Sequence, residues 1–222
     1  MTKSNDAIYE ELKNEIVTLK IKPGAVLSEI DIAKRFGVSR TPIRDVFKKL
    51  EADGLLEIVS QKGTYVKKIN IDEVNEMMYI REKVELAVLK EVMEVANIGQ
   101  INLLNLFLVE QKDIIENTPD ELRAEKFLEN DNKFHEYIFR IAGKEGVWRL
   151  LYQFRPAFNR FRVVTNLRKT DDLIELYENH AAILECLKNK DYERINDVIS
   201  NHAYHGLNGI DAVFDKHRDY FE

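Results

Sequence analysis

Residues 28–54 read SEIDIAKRFGVSRTPIRDVFKKLEADG and contain two short helical patterns joined by a turn. Ser28 is suited to cap the first helix, and Gly37 is suited to end it, because glycine readily adopts the left-handed conformation that often follows a helix. Ser39 is suited to cap the second helix, which we expect to run to about Asp53. This stretch predicts a helix-turn-helix.

The flanking segments extend this motif on both sides. Apolar residues at helical spacing predict a further helix over residues 5–19, with Asn5 or Asp6 as its N-cap. Two short β-patterned segments, residues 55–59 and 64–68, enclose a hairpin tip. Helix, helix, turn, helix and hairpin is the order of a winged helix-turn-helix.

The rest of the chain is patterned as helices, without a convincing strand beyond residue 72. We expect Pro156 to kink or divide one of these segments. The fold class is therefore mainly α, with a winged helix-turn-helix domain at residues 1–70. An all-helical antiparallel bundle of six or seven helices follows at residues 71–222. The helical patterns cover residues 72–96, 99–117, 121–142, 145–165, 171–188 and 191–217.

Charge is distributed unevenly along the 222 residues. The whole chain has 33 Lys and Arg against 39 Asp and Glu, a net charge of −6, which by itself argues against a nucleic-acid partner. Residues 1–70, however, carry 13 basic against 10 acidic side chains, and residues 71–222 carry 20 against 29. Residues 34–49 contain six cations and one anion. Because distant exposed charges are screened, the local charge of this basic stripe matters more for nucleic-acid binding than the net charge of the whole chain.

Composition also limits the compartment. No apolar run approaches the ~20 residues that a membrane span needs, and the N-terminus lacks the apolar region of a signal peptide. Cys186 is the single cysteine, which excludes an intramolecular disulfide and fits a reducing compartment. We therefore expect a cytoplasmic protein without a membrane partner.

The second helix of the helix-turn-helix carries a basic face. Arg40 and Arg44 are four residues apart and project from one side, opposite the apolar residues. Guanidinium groups there are suited to bind guanine O6 and N7 in a major groove or to clamp phosphates. A solvated cationic face is the alternative, but the basic hairpin and the motif spacing favour DNA. The candidate DNA-binding residues are Arg35, Ser39, Arg40, Thr41, Arg44, Lys62 and Gly63.

The histidines all lie beyond residue 130. Asp131 and His135 are four residues apart and share a helix face, while His180 and His202 each lie within a later helix. One carboxylate oxygen and three imidazole nitrogens suit Zn²⁺, Ni²⁺, Mn²⁺ or Fe²⁺, with positions left for water or a small anion. Taken singly, each histidine is more typical of a core or surface position, so the residues alone leave this metal site open.

Residues 19–29, 32–55 and 63–66 resemble the DNA-binding domain of GntR-family bacterial transcription regulators. The most specific part is Gly-Val-Ser-Arg-Thr-Pro-Ile-Arg at residues 37–44. This resemblance implies operator contacts from Arg40 and Arg44, supported by Ser39, Thr41 and the wing Gly63. Some family members also use an arginine early in the second helix, where this chain has Glu29-Ile30-Asp31, so we do not expect that contact here.

The helical region resembles the FCD effector domain that defines the FadR-type subfamily. This resemblance implies that Asp131, His135, His180 and His202 are ligands of one divalent transition metal per chain, with zinc preferred. His205, three residues past His202, is either an outer partner of the site or a bystander.

The first helix of the FCD-like region contains Arg81 four residues before Glu85. The resemblance implies that Arg81 holds the carboxylate of an effector, whereas a surface ion pair is the alternative. The candidate effector-binding residues are Arg81, Arg155, Asn159 and Arg162.

We therefore expect a cytoplasmic, homodimeric transcription regulator rather than an enzyme. It would act as a repressor on a pseudo-palindromic double-stranded DNA operator and respond to a small organic acid. Two alternatives remain open at this point. One is a DNA-binding protein with a purely structural metal site, and the other is a metal-dependent hydrolase.

Overall fold

The computed structural model describes residues 3–153, 156–166, 170–207 and 210–222, without the side chains at positions 152, 153 and 166. Within these ranges the chain is mainly helical, with one small sheet. The helices are α1 (Asn5–Val17), α2 (Glu29–Phe36), α3 (Arg40–Ala52), α4 (Ile71–Val95), α5 (Ile98–Asn117), α6 (Asp120–Ile141), α7 (Glu145–Gln153), α8 (Pro156–Asn166), α9 (Thr170–Asn189), α10 (Arg194–Tyr204) and α11 (Ile210–His217). The strands are β1 (Val26–Leu27), β2 (Leu56–Val59) and β3 (Gly63–Val66).

The helix-turn-helix forms as predicted. The Ser28 hydroxyl accepts the Asp31 amide at 3.3 Å and caps α2, and Gly37 ends that helix with a left-handed φ of 65°. Ser39 occupies the N-cap position of α3, but its side chain makes no capping hydrogen bond. The α1 cap is Ser4 rather than Asn5 or Asp6, since the Ser4 hydroxyl accepts the Ala7 amide at 3.2 Å.

The wing is a three-stranded antiparallel sheet in the order β1-β3-β2. Val59 pairs with Gly63, so the hairpin tip is residues 60–62, and Gln61 has a positive φ of 63°. The sequence analysis missed β1 because two residues are too few to display the alternation of a strand. Pairing of β1 with β3 closes the sheet over the helices.

A compact apolar core fixes the winged region. It combines α1, α2, α3 and the sheet, and each fully buried large apolar side chain contributes about 1.5–3 kcal/mol. The most deeply buried members are Ile8, Leu12, Ile16, Ile43, Phe47, Leu50, Leu55 and Leu56. Burial of one α3 face in this core leaves its other face to the solvent.

The predicted helical segments form α4 to α11 within the described residues. Two of these segments each contain two of the helices, α7 with α8 and α10 with α11. In the first, α8 begins at Pro156, a position in the first helical turn where the ring and the missing N–H are tolerated. In the second, α10 is followed by a 3₁₀ turn at His205–Leu207 and then α11. Gly206 lies in this turn and has low helix propensity.

The largest apolar core lies in the helical region. There α5 packs against α6 and α9, and α9 packs against α10. This packing places α6, α9 and α10, which carry the candidate metal ligands, side by side. Central members of the core are Leu89, Val92, Leu104, Phe134, Phe139, Ile183, Leu184, Ile195 and Ile199.

The chain divides into two compact units that are discontinuous in sequence. The first comprises Met1–Val74, Gln153–Val164 and Asp211–Glu222, and the second comprises Asn75–Tyr152 and Thr165–Ile210. Two segments beyond residue 70 therefore group with the winged part of the chain. No helix of the described ranges has both the length and the apolarity of a transmembrane segment.

A buried arginine ties these later segments to the chain that leaves the wing. Arg160 of α8 is 1% exposed and donates to the carbonyls of Lys67 and, at 3.4 Å, of Lys68. Burial lowers the pKa of Arg160 to about 10. Ile69 also forms a parallel bridge with Phe221, and its amide donates to the Tyr220 carbonyl at 2.8 Å.

Candidate metal centre and nucleic-acid interface

The basic face of α3 is exposed, as its apolar spacing predicts. Ile43, Val46 and Phe47 are buried, while the side chains of Arg40 and Arg44 are 53% and 56% exposed. The one-turn spacing places the two arginines together on the solvent side. This surface has the shape and charge that major-groove recognition requires.

Glu29 of α2 bridges the two arginines. Its Oε2 atom accepts Arg40 Nη2 at 2.9 Å and Arg44 Nε at 2.9 Å. Hydrogen bonding from Arg40 is the main influence that lowers the pKa of the Glu29 carboxyl, and Arg44 adds to it. In the sequence, Glu29 stood out only because some family members have an arginine in this region. Arg40 and Arg44 lie 11 and 15 residues after Glu29, which is too far along the chain for a local pattern to predict the contact.

The other candidate DNA-binding residues lie at different places in the winged region. Thr41 and Lys62 are exposed, and Gly63 begins β3 with a φ of 137°, a conformation that favours glycine. Arg35 is engaged with α1, since its guanidinium donates to Glu15 at 2.8 Å and to Glu11 at 2.9 Å. The assignment of these residues to DNA contacts stays a prediction.

The structure brings the four candidate metal ligands together. Asp131 and His135 of α6 meet His180 of α9 and His202 of α10, and one ligand atom from each lies within 4.8 Å of all the others. All four side chains are buried. Such a compact group of one carboxylate and three imidazoles is the donor set of a transition-metal site.

Hydrogen bonds orient two of the imidazoles. Glu85 Oε2 lies 2.9 Å from His135 Nδ1, and Gln111 Oε1 lies 2.9 Å from His180 Nδ1. Because an oxygen accepts in both contacts, we assign the proton to Nδ1 and the lone pair to Nε2 of each ring. This arrangement, in which an outer acceptor selects the tautomer, is typical of metal-binding histidines.

Two ring nitrogens of the cluster are buried without a hydrogen bond among the described residues. In the assigned tautomer His180 Nε2 carries a lone pair, and it lies 3.3 Å from Asp131 Oδ1. Neither His180 Nε2 nor His202 Nδ1 has a hydrogen-bond partner among the described residues. A cation between such atoms would satisfy them, so the residues fit a bound metal ion.

Burial keeps the imidazoles of His135 and His202 neutral. It lowers the pKa of His135 to about 4, although the Glu85 carboxylate opposes this change. Burial is the main reason why the pKa of His202 lies well below its ordinary value, and the electrostatic influence of His180 lowers it further. Neutral imidazoles have the lone pair that metal binding needs.

Arg81 lies directly beside the cluster. Its Nη2 is 2.9 Å from His135 Nε2 and 3.2 Å from His202 Nε2, and its Nε donates to Glu85. Burial disfavours the charge of Arg81, but the carboxylates of Glu85 and Asp131 outweigh burial and raise its pKa. The surface-pair alternative is wrong, because Arg81 and Glu85 are both buried.

Two outer residues were missed by the sequence analysis. Gln111 is the polar member of the otherwise apolar buried face of α5, which was a weak signal, and nothing local linked it to His180, 69 residues away. Glu85 was noted only as a partner of Arg81. His205 pairs with Glu175 at 3.5 Å and is not a member of the compact ligand group.

The remaining effector-site candidates are on or next to α8. Arg155 lies outside the described residues. Asn159 is half-buried, and the buried Arg162 guanidinium lies 5.8 Å from the centre of the Phe158 ring. Their role in binding an effector stays a prediction.

Two family models match different parts of the chain. Residues 4–66 match the model of the family described as bacterial regulatory proteins, gntR family, and residues 76–205 match that of the FCD domain. The chain is 28% identical to the HTH-type transcriptional repressor RspR of Escherichia coli K12, over 98% of this chain and 93% of the relative. It is 25% identical to the gluconate operon transcriptional repressor of Bacillus licheniformis, over 82% and 74% of the two chains.

Solved structures share the fold. E. coli McbR/YncC has a TM-score of 0.69 at 19% identity, covering 97% of this chain and 99% of that one. A GntR regulator from Rhodococcus sp. RHA1 has a TM-score of 0.65 at 17% identity, with 96% and 99% covered. At these identities the likeness supports the architecture alone.

Proposed function

The chain belongs to the GntR family of bacterial regulatory proteins and carries an FCD domain, and on this premise we propose that it is a metal-dependent, ligand-responsive repressor. Residues 1–70 form its DNA-binding domain and residues 71–222 its effector and dimerisation domain. It works in the cytoplasm as a homodimer on a pseudo-palindromic operator. Two relatives, RspR and the gluconate operon repressor, are named as repressors, which supports repression rather than activation.

One observation carries this proposal: an exposed arginine pair on a helix-turn-helix occurs in the same chain as a buried cluster of one aspartate and three histidines. The arginine pair supplies a means of binding DNA. The cluster supplies a means of binding a small ligand through a metal. A chain with both can link the second event to the first.

In the DNA complex, α3 enters the major groove. Arg40 and Arg44 present guanidinium groups to base edges, where a bidentate contact to guanine discriminates by about 1–3 kcal/mol. Ser39, Thr41 and Arg35 contact phosphates at the groove edge, and Lys62 with Gly63 follows the neighbouring minor groove. These contacts repeat on the second half-site through the two-fold axis of the dimer.

In the helical domain, Asp131, His135, His180 and His202 hold one divalent metal, for which zinc is the first candidate and nickel, manganese or iron are the others. Bound there, the metal supplies a positive charge with coordination positions left for a ligand oxygen. Glu85 and Gln111 keep two of the imidazoles in the tautomer that binds.

A small organic acid is the effector that this site suits. Arg81 is a buried cation beside the histidines and is able to take a carboxylate bidentately, with Glu85 orienting it. Asn159, Arg162 and Arg155 stay as separate candidates for contacts with an effector. Binding would change the balance between DNA-competent and DNA-incompetent arrangements of the dimer.

An apolar face of α5 is the surface that we assign to the dimer. Ile98, Leu106 and Val109 are 76%, 59% and 58% exposed and lie on one side of the helix. Exposed apolar groups of this kind are what a homodimer interface buries. An isologous dimer would bury this face against its own copy.

The DNA-binding part is tested with Arg40→Ala and Arg44→Ala. The probe is a duplex that the wild-type protein selects from a random library, and binding is measured by fluorescence anisotropy at fixed salt. We expect each variant to lose about tenfold or more in affinity, as for a lost base or phosphate contact. Arg140→Ala, which removes an exposed arginine of α6, is the matched control and retains affinity. Unchanged affinity in both α3 variants would overturn this part.

The metal part is tested with His180→Ala against His217→Ala, which removes a histidine that is not in the ligand cluster. Elemental analysis should find about one transition metal per chain in the wild type and in the control, and little in His180→Ala. Trp148, the single tryptophan, lies 6.3 Å from His135 between ring centres, so its fluorescence reports metal addition. Full metal occupancy in His180→Ala would reject the site.

A further inference from the structure

A single carboxylate joins the two arginines that face DNA. We propose that Glu29 is a specificity-determining residue, which holds Arg40 and Arg44 for base contacts and withholds them from indiscriminate phosphate contacts. This inference rests on the proposed DNA-binding function. It assigns the role to a residue of α2, not to the basic helix itself.

The geometry gives the carboxylate control over both guanidinium groups. One oxygen, Glu29 Oε2, accepts from Arg40 Nη2 and from Arg44 Nε, each at 2.9 Å. Because Arg44 is held through Nε, both of its Nη atoms keep their hydrogens for the paired contact that guanine O6 and N7 accept. Long arginine side chains otherwise sample many rotamers, so a shared anchor restricts them to a common orientation.

The position of Glu29 is itself well determined. It is the first residue of α2, directly after the Ser28 cap, where the positive end of the helix favours a carboxylate. The neighbouring residues Ile32 and Ala33 are buried in the apolar core and fix the helix. The lowered pKa of Glu29, caused first by its bond from Arg40, keeps it ionised at neutral pH.

The carboxylate affects specific and non-specific DNA differently. Non-specific binding depends on the number of cations that neutralise phosphates. Glu29 reduces the charge of the trio from two to one and also repels phosphates, so it weakens this mode. Base readout depends instead on oriented guanidinium groups, which Glu29 supports. Removal of its charge should therefore strengthen binding to arbitrary sequences without a matching gain on the chosen sequence.

Asp31 provides a matched control. It lies on α2, is exposed, and carries the same charge, but no ion pair joins it to either arginine in the part of the chain that the structure describes. Glu29→Gln and Asp31→Asn therefore remove the same charge from the same helix. The two variants differ in whether the arginines are released.

The experiment compares Glu29→Gln, Asp31→Asn and the wild type on two duplexes, the library-selected sequence and a scrambled sequence of equal length. Anisotropy titrations over a range of salt concentrations give the discrimination ratio between the duplexes. We expect this ratio to fall by about fivefold to tenfold in Glu29→Gln and to stay within about twofold in Asp31→Asn. For the scrambled duplex, the slope of log affinity against log salt should become steeper in Glu29→Gln, by about the amount that one additional phosphate contact contributes.

The outcomes separate the two proposals. A wild-type protein that binds both duplexes equally overturns the DNA-binding function, and this inference with it. A wild-type protein that discriminates, with equal ratios in Glu29→Gln and Asp31→Asn, overturns the inference alone. Thermal melting of each variant checks the fold, and Glu29→Ala repeats the measurement if Glu29→Gln melts early.

Discussion

Two of the arginine–carboxylate groups among the described residues use the same chemistry in opposite surroundings. In the winged part, Glu29 bridges Arg40 and Arg44, whose side chains are more than half exposed. In the helical part, Glu85 pairs with Arg81, and both side chains are almost completely buried. The first pair faces solvent, and the second lies against histidines of the candidate metal centre.

Burial decides what each group is able to do. An exposed ion pair contributes little to stability, so its arginines exchange one anion for another at low cost and can turn to DNA. A buried pair has lost its hydration and depends on its partners, so it forms a fixed part of the site. The same pairing is therefore a reversible contact on α3 and a structural requirement on α4.

The largest expected effect comes from breaking the buried pair. Glu85→Ala leaves the Arg81 charge buried without the carboxylate that accepts its Nε–H, which costs about 3–5 kcal/mol. Urea unfolding followed by Trp148 fluorescence reports on this unit, because Trp148 lies within it. The control is Glu129→Ala, which removes the carboxylate of an exposed Lys133 pair on α6 and should cost under about 1 kcal/mol. Equal losses in the two variants would contradict the role given to burial.

An intermediate effect is expected for a buried arginine that uses carbonyl partners. Arg160→Met removes the charged donor from the carbonyls of Lys67 and Lys68, and hydrogen bonds to charged groups contribute about 1.5–3 kcal/mol each. The amide of Ile69, which donates to Tyr220, should then exchange with deuterium at least tenfold faster. Arg160→Lys retains the charge but loses the planar guanidinium group, so its Ile69 exchange rate should fall between those of the wild type and Arg160→Met. Unchanged exchange in Arg160→Met would show that other contacts hold this segment.

The smallest expected effect on stability comes from breaking the exposed pair. Glu29→Ala should change the free energy of unfolding by less than about 1 kcal/mol, because water and salt screen both guanidinium groups. Thermal melting followed by circular dichroism measures this change. A loss near that of Glu85→Ala would mean that Glu29 supports the fold, which would contradict a role confined to orienting the arginines.

Local patterns predicted the winged region well. Ser28, Gly37 and the apolar spacing of α3 act within one or two turns, so sequence alone located α2, the turn and α3. The errors were also local. Ser4 caps α1 instead of Asn5 or Asp6, and the two-residue β1 was too short to detect. Both depend on small differences in backbone geometry that residue types do not specify.

The helical region was predicted less completely. Helical periodicity located its segments, and their predicted bounds lie within a few residues of those of the helices from α4 to α11. Residues 153–164 and 211–222 also group with the winged part, although nothing in their composition distinguishes them from their neighbours. Whether a segment is helical depends on its local sequence, whereas the unit into which it packs depends on the tertiary structure.

By itself, the sequence determined the helix-turn-helix, the basic face with Arg40 and Arg44, and the Asp131–His135 pair, because each depends on spacing within a helix. The resemblance to the FCD domain implied that His180 and His202 join that pair, and the tertiary structure brings the four together. Only the tertiary structure decided that Gln111 and Glu85 orient the imidazoles and that Glu29 bridges the arginines. The physical reason is distance along the chain. Side chains from different helices meet through the packing of apolar faces, which no local period of the sequence records.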